Sequence, residues 1–264
     1  MTILNMLLSD WVINVPAIVI TILLVAFQLF TSRFTFKHNT SLYYAGVLLF
    51  VLMTMSPIQA LSHSYLFSAH MTQHIFFLLI IPPLLLAGTD EDFLRRTFSR
   101  PRSSTAGKIL FYPLVTWILG IGSMWIWHIP VLFEAMKASQ ALMTLQIVSL
   151  LVLGYIFIWP VYAPIKFMRL TPPESALYLF SACVGCTVLG IFITFAPVGL
   201  YTSFFTGGNA AVEGMITSGW GITQSVDQQM AGLIMWVPAC IIYVTNIMIS
   251  LGKWYMGGAT TEVK

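Results

Sequence analysis

Two histidines four residues apart, His70 and His74 in "SAHMTQHIFFLLIIPPLLLAG" (Ser68 to Gly88), stand at the lip of an almost wholly apolar run. On a helix, positions i and i+4 share one face, so both imidazoles can reach one ion. His128 closes another apolar run, and Asp227, Gln228, Gln229 and Met230 open a third in "SVDQQMAGLIMW". Imidazole suits Zn, Cu, Fe and Ni, whereas thioether sulfur adds a preference for Cu(I), and Met71, Met215 and Met230 are at hand. The donor set therefore favours copper, with His70, His74, His128, Asp227, Met71 and Met230 as candidate ligands. Asp227 serves either as a carboxylate ligand or as the group that orients a liganding imidazole. Plainer readings stand beside these. The histidines serve interhelical hydrogen bonds or sit at the interface without a role, a given Met fills core, and Asp227 is a helix N-cap or an anion at the positive end of a helix dipole.

The elements that must carry these side chains follow from composition. Of the residues, 58% are hydrophobic and 8% are charged, far below the roughly one quarter charged in soluble domains. Several continuous apolar runs reach the roughly 20 residues that cross a hydrocarbon core as helix, and their continuity excludes an alternating barrel strand pattern. The expected fold is all-α: a polytopic membrane protein of seven transmembrane helices, about Trp11–Phe30, Leu42–Leu61, Ala69–Gly88, Ile109–Trp127, Ala141–Val161, Ala176–Val198 and Gln228–Ile249. No linker, composition shift or repeat divides the chain, so residues 1–264 read as one domain. Met1–Asp10 lacks a basic segment and no small-residue cleavage site follows, so the first run does not read as a cleaved signal.

Charge sets the expected orientation. With these spans, every Lys and Arg except Lys137 falls on one side, in the segments holding Arg33, Lys37, Arg95, Arg96, Arg100, Arg102, Lys108, Lys166, Arg169, Lys253 and Lys264. The positive-inside rule then places the N-terminus outside and the C-terminus in the cytoplasm. The net charge of +3 is thus a topological signal and gives no reason to invoke nucleic acid. In this arrangement His63, in an outer loop, joins His70, His74 and His128 on the outer side, and His38 is a cytoplasmic surface residue. Ionisable groups inside membrane segments are rare and face a cavity or the bundle interior, which favours function for the cluster.

Other features have structural readings first. Trp125 and Trp127 match an aromatic belt, and Pro82 and Pro83 remove donors and free carbonyls near Leu78 and Leu79, predicting a kink. Cys183 and Cys186 in "CVGC" read as small residues for close helix approach; a three-thiol site with Cys240 lacks support, and no disulfide framework is indicated. The segment "GTDEDFLRRTFSRPRSSTAGK" reads as a solvated basic loop. The segment from Gly199 to Asp227 is long enough to cover the outer mouth as a lid. Phosphate-loop, dinucleotide, H-E-x-x-H and C-x-x-C-H motifs are all missing from the sequence, so soluble-enzyme chemistry is not expected.

"HMTQH", "PPLLLAG", "WHIPVLFEAM", "WPV" and "DQQMAGLIMW", in that order over Ser68 to Cys240, resemble the motifs of the bacterial caa3-type cytochrome c oxidase assembly factor family, CtaG. The resemblance implies a multi-pass plasma-membrane protein, not an enzyme, that serves maturation of a haem–copper oxidase through copper handling. Its partners would be oxidase subunits or other copper-handling assembly factors. The family's histidines fall on His70, His74 and His128, and the acid that opens its last motif on Asp227. In one respect the sequence departs: where family members often carry Glu-His before "WPV", Gln146 and Ile147 stand here. Three other functions stay open: a haem-binding membrane oxidoreductase with His128 as one axial ligand, a copper permease using the cysteines, and a scaffold whose polar groups only tie helices together.

Overall fold

The computed structural model describes residues 11–33, 35, 39–98, 112–165, 168–201, 204 and 210–259. Met1–Asp10, Lys37, His38, Arg100, Arg102, Lys108, Lys166 and Lys264 lie outside these, so the readings placed on them have no structural counterpart here. The described residues form helices and no strands: α1 (Val15–Ser32), α2 (Thr40–Met55), α3 (Pro57–Ser64), α4 (Phe67–Gly88), α5 (Glu91–Phe98), α6 (Pro113–Trp127), α7 (Pro130–Ala138), α8 (Gln140–Tyr162), α9 (Pro172–Phe195), α10 (Ala210–Gly214) and α11 (Gln224–Ala259). Five are long and apolar enough to cross a membrane, or up to seven spans if the bent pairs α2–α3 and α6–α7 each count as one. That range includes the expected seven.

Proline placement explains where the helices start and bend. Pro57, Pro113, Pro130 and Pro172 sit in the first turn of their helices, where a missing N–H costs nothing. Ser56 caps α3 through its side chain, and the α2–α3 pair turns by 50° at that point, the α6–α7 pair by 74° at Ile129. His63 consequently lies in the last turn of α3, a helical position rather than the loop expected from sequence.

Inside α4 the expected kink takes a specific form. Phe76–Ile80 is a π-helical turn, with the Ile81 amide reaching back to the Phe76 carbonyl, because Pro82 has no N–H to give Leu78. Gly154 of α8 packs on that break: a Cβ there would lie 2.6 Å from the Leu78 carbonyl oxygen and 2.8 Å from Pro82 Cγ. Backbone cannot yield as a side-chain tip can, so Gly154→Ala is expected to cost about 1–3 kcal/mol. Thermal unfolding of the detergent-purified protein checks this, with Gly122→Ala as the contrast: its Cβ meets only Ile118 Cγ2 at 4.0 Å, and its midpoint should hold or rise.

Helices α9 and α11 cross closely through Gly190 and Gly232, where a Cβ at Gly232 would lie 2.7 Å from the Gly190 carbonyl oxygen. The same approach brings the Cα atoms of Cys183 and Cys240 to 5.2 Å, and the two form a disulfide. This corrects the reading of Cys183 as a packing residue and the view that no disulfide was indicated: a pair 57 residues apart was joined by the crossing, which sequence spacing does not reveal. Cys186 stays a free, buried thiol, 3.7 Å from the Tyr243 hydroxyl. The belt reading also needs correction at Trp127, which is buried and donates its indole N–H to Ser149 Oγ at 2.9 Å. Trp125 is 37% exposed, as a belt residue should be.

Candidate metal centre

The first turn of a helix leaves amides without intrahelical acceptors, and Leu66, at the N-cap of α4, offers no side-chain acceptor. Asp227, in the first turn of α11, supplies it. Its carboxylate accepts from the Phe67 amide at 2.6 Å, the Ser68 amide at 3.1 Å and the Ser68 hydroxyl at 2.5 Å. A helix is thus capped from a different helix, and the turn that carries His70 is fixed in place. The sequence alternatives for Asp227 included an N-cap, but of its own helix. Its observed place is at the N-terminus of another.

His128 ends α6. Its Nδ1 lies 2.5 Å from the Met124 carbonyl oxygen, which requires Nδ1 to carry the proton and leaves Nε2 with a lone pair. That Nε2 lies 3.1 Å from the sulfur of Met71 on α4. Across from it, His70 and His74 share one face, ring centroids 4.5 Å apart, and His74 approaches His128 at 5.0 Å. The three imidazoles form a row with His74 in the middle.

All three histidines and Met71 are buried, and yet His70 Nε2 and both ring nitrogens of His74 lack a well-formed hydrogen bond, as does the Nε2 of Gln146, the amide that approaches His74. Buried polar atoms are rarely left so, because each unpaired group costs roughly 1–3 kcal/mol. They face a cavity of about 10 Å³ bounded by Gln73, Phe77, Gln146 and Ile147 among others, on the scale of one water molecule or ion. The residues present suit a soft cation: neutral imidazole nitrogens with free lone pairs, and a thioether beside them.

Aromatic rings roof the row. Phe133 meets His70 edge-on at 5.3 Å, Phe204 lies 6.3 Å from it, and Phe67 packs on Phe204 and Tyr201. Tyr201 donates to the His128 carbonyl at 2.9 Å. Lys137 Nζ sits 4.1 Å over the Phe204 ring and donates to the Ser62 and His63 carbonyls. Tyr201 and Phe204 belong to the segment read as a lid, and they do lie over the histidines.

The structure therefore brings together His70, His74, His128 and Met71. It does not bring Asp227, whose oxygens are engaged at Phe67 and Ser68, nor Met230, which is 37% exposed. Among the described residues no three His, Cys, Asp or Glu side chains are arranged as a ready metal-binding group, so the imidazoles make a row and not a closed tripod. Sequence reading missed the buried Gln59 and Gln73 and gave Gln146 no part in the site. Gln73 donates to the Met53 carbonyl at 2.5 Å and to Gln59 Oε1 at 2.9 Å, tying α4 to α2 and α3, and Gln146 borders His74. Uncharged amides inside apolar spans were the available signal.

A family model described as cytochrome c oxidase caa3 assembly factor matches residues 23–256. The chain belongs to the cytochrome c oxidase caa3 assembly factor family. Gln146 and Ile147, which stand where the resemblance implied Glu-His, line the cavity beside His74. An uncharacterized protein of Mycobacterium leprae is 23% identical over 207 residues, covering 72% of this chain and 30% of the relative. The chain thus spans less than a third of the length of the curated relative it matches. No solved structure matches this chain.

Proposed function

We propose that this assembly factor holds a Cu(I) ion as cargo in the histidine row and passes it to a haem–copper oxidase subunit or to another copper-handling assembly factor. The observation that carries this reading is the set of buried, unpartnered nitrogens on His70 and His74 beside the His128–Met71 pair. His70 and His74 are the chelating pair, His128 the third donor and Met71 the sulfur; Asp227 acts by fixing α4, and Met230 is left out. A bacterial plasma-membrane setting with the N-terminus outside puts the row near the outer leaflet, a reading supported by the one-sided distribution of Lys and Arg along the sequence. The role is that of a carrier rather than an enzyme.

The dimensions of the site favour an ion over the rivals. A porphyrin does not fit a cavity of about 10 Å³, and a permease path through three thiols loses two of them to the Cys183–Cys240 bond. Anaerobic Cu(I) titration of the purified protein against a chromophoric chelator tests the reading. One ion per chain is expected for the native protein, and none retained at the same chelator concentration for the double variant His70→Ala plus His74→Ala. Equal stoichiometry in both would remove the site.

A further inference from the structure

A buried ion needs a way in, and the sides of the histidine cavity are not equivalent. A second, larger cavity of about 410 Å³ lies between the segment leading into α1, the helix α3 and the start of α8, lined by Asn14, Ala60, His63, Gln140 and Met143 among others. Gln59, His63 and Met143 line both cavities. They form the partition between the wide vestibule and the narrow chamber that holds His70 and His74. On the other flank the aromatic roof is closed by ring contacts between Phe67, Phe133, Tyr201 and Phe204 and by the Lys137 ammonium over Phe204.

We propose, building on the Cu(I) reading above, that the ion enters and leaves through this vestibule, with His63 and Met143 as the donors that hand it to His70 and His74. The chemistry requires such donors. A bare cation crossing an apolar neck has lost its hydration without replacement, a cost of several kcal/mol or more, and the penalty falls when a soft ligand meets it at each step. An imidazole and a thioether are present at the partition. Met143 is buried, its sulfur facing the Gln59 amide at 3.8 Å, and Gln59 in turn is bonded to Gln73 on the helix that bears both inner histidines. Transfer is ligand exchange alone: a Cu–N or Cu–S bond to His63 or Met143 breaks as a Cu–N bond to His70 or His74 forms, and the ion stays Cu(I) with no electron or proton moved.

Stopped-flow loading of the apo protein with Cu(I) from a chromophoric chelator, followed by titration to the endpoint, separates route from site. The double variant His63→Ala plus Met143→Leu is expected to load at least tenfold more slowly than the native protein while reaching the same final stoichiometry. Ala60→Trp, which leaves all donors in place and fills the vestibule with an indole, should slow loading likewise. Native loading rates in both variants overturn the route. Loss of stoichiometry in the double variant overturns it too, since His63 and Met143 would then belong to the holding site. A native protein that takes up no Cu(I) overturns the carrier reading itself and the route with it, a result distinct from either of the others.

Discussion

Asp227→Ala is expected to unfold the protein at a markedly lower temperature or to prevent its accumulation altogether. The carboxylate answers two backbone amides and one hydroxyl at the start of α4, all in a buried setting. Hydrogen bonds to a charged acceptor contribute about 1.5–3 kcal/mol each, and a buried donor left unanswered costs about 1–3 kcal/mol. Losing three together approaches the lower end of the roughly 5–15 kcal/mol that separates folded from unfolded proteins. Asp227→Asn should fall between, because its carboxamide keeps one acceptor oxygen but turns an NH₂ toward an amide that also donates. Thermal unfolding in detergent, combined with Cu(I) stoichiometry of the folded fraction, separates a cap from a ligand. A cap predicts that folded Asp227→Asn binds copper as the native protein does, with a lowered midpoint. A native midpoint with lost copper would instead restore Asp227 to the ligand set.

That Asp227 matters was legible in the sequence; why it matters was not. A carboxylate at the start of an apolar helix points to a cap or a ligand, but the identity of the capped helix depends on α11 crossing α4, and its partners lie 159 and 160 residues away in sequence. Membrane helices, by contrast, announce themselves locally. The span read as Ala69–Gly88 became Phe67–Gly88, and the break expected from Pro82 and Pro83 became the π turn at Phe76–Ile80. Where proline opens a new helix after a short extended residue, as at Pro57 and Pro130, hydropathy alone merged or dropped the second piece, since it does not register direction.

The same division runs through the candidate site. The i, i+4 spacing of His70 and His74 was enough to put two imidazoles together, and the structure keeps them 4.5 Å apart. The addition of His128 rested on its place at a span end and on the family motif, and it too arrives, 5.0 Å from His74. Met230 did not. It lies three residues beyond Asp227, on a neighbouring part of the same helical face, and yet it is 37% exposed and joins none of the histidines. Cys183 and Cys240 illustrate the limit most plainly, because only the glycine crossing of α9 and α11 makes them neighbours.

The row geometry ranks the histidines. His74 neighbours both other imidazoles, whereas His70 and His128 stand at the two ends of the row and His128 spends Nδ1 on the Met124 carbonyl. An ion near 2 Å from its ligands that engages either end of the row also engages His74, its middle member. His74→Ala should therefore weaken Cu(I) affinity more than His70→Ala or His128→Ala, and by more than the roughly 10–100-fold that loss of a supporting partner costs a metal site. Ile147→Ala, on the wall of the same cavity, supplies no donor and should leave affinity near native. Ile147→His places an imidazole on the cavity wall that it shares with His74 and should tighten binding. Competition titrations of the five variants against one Cu(I) chelator read the order directly. An affinity for His74→Ala equal to that of His70→Ala would mean that the ion does not sit at the middle of the row.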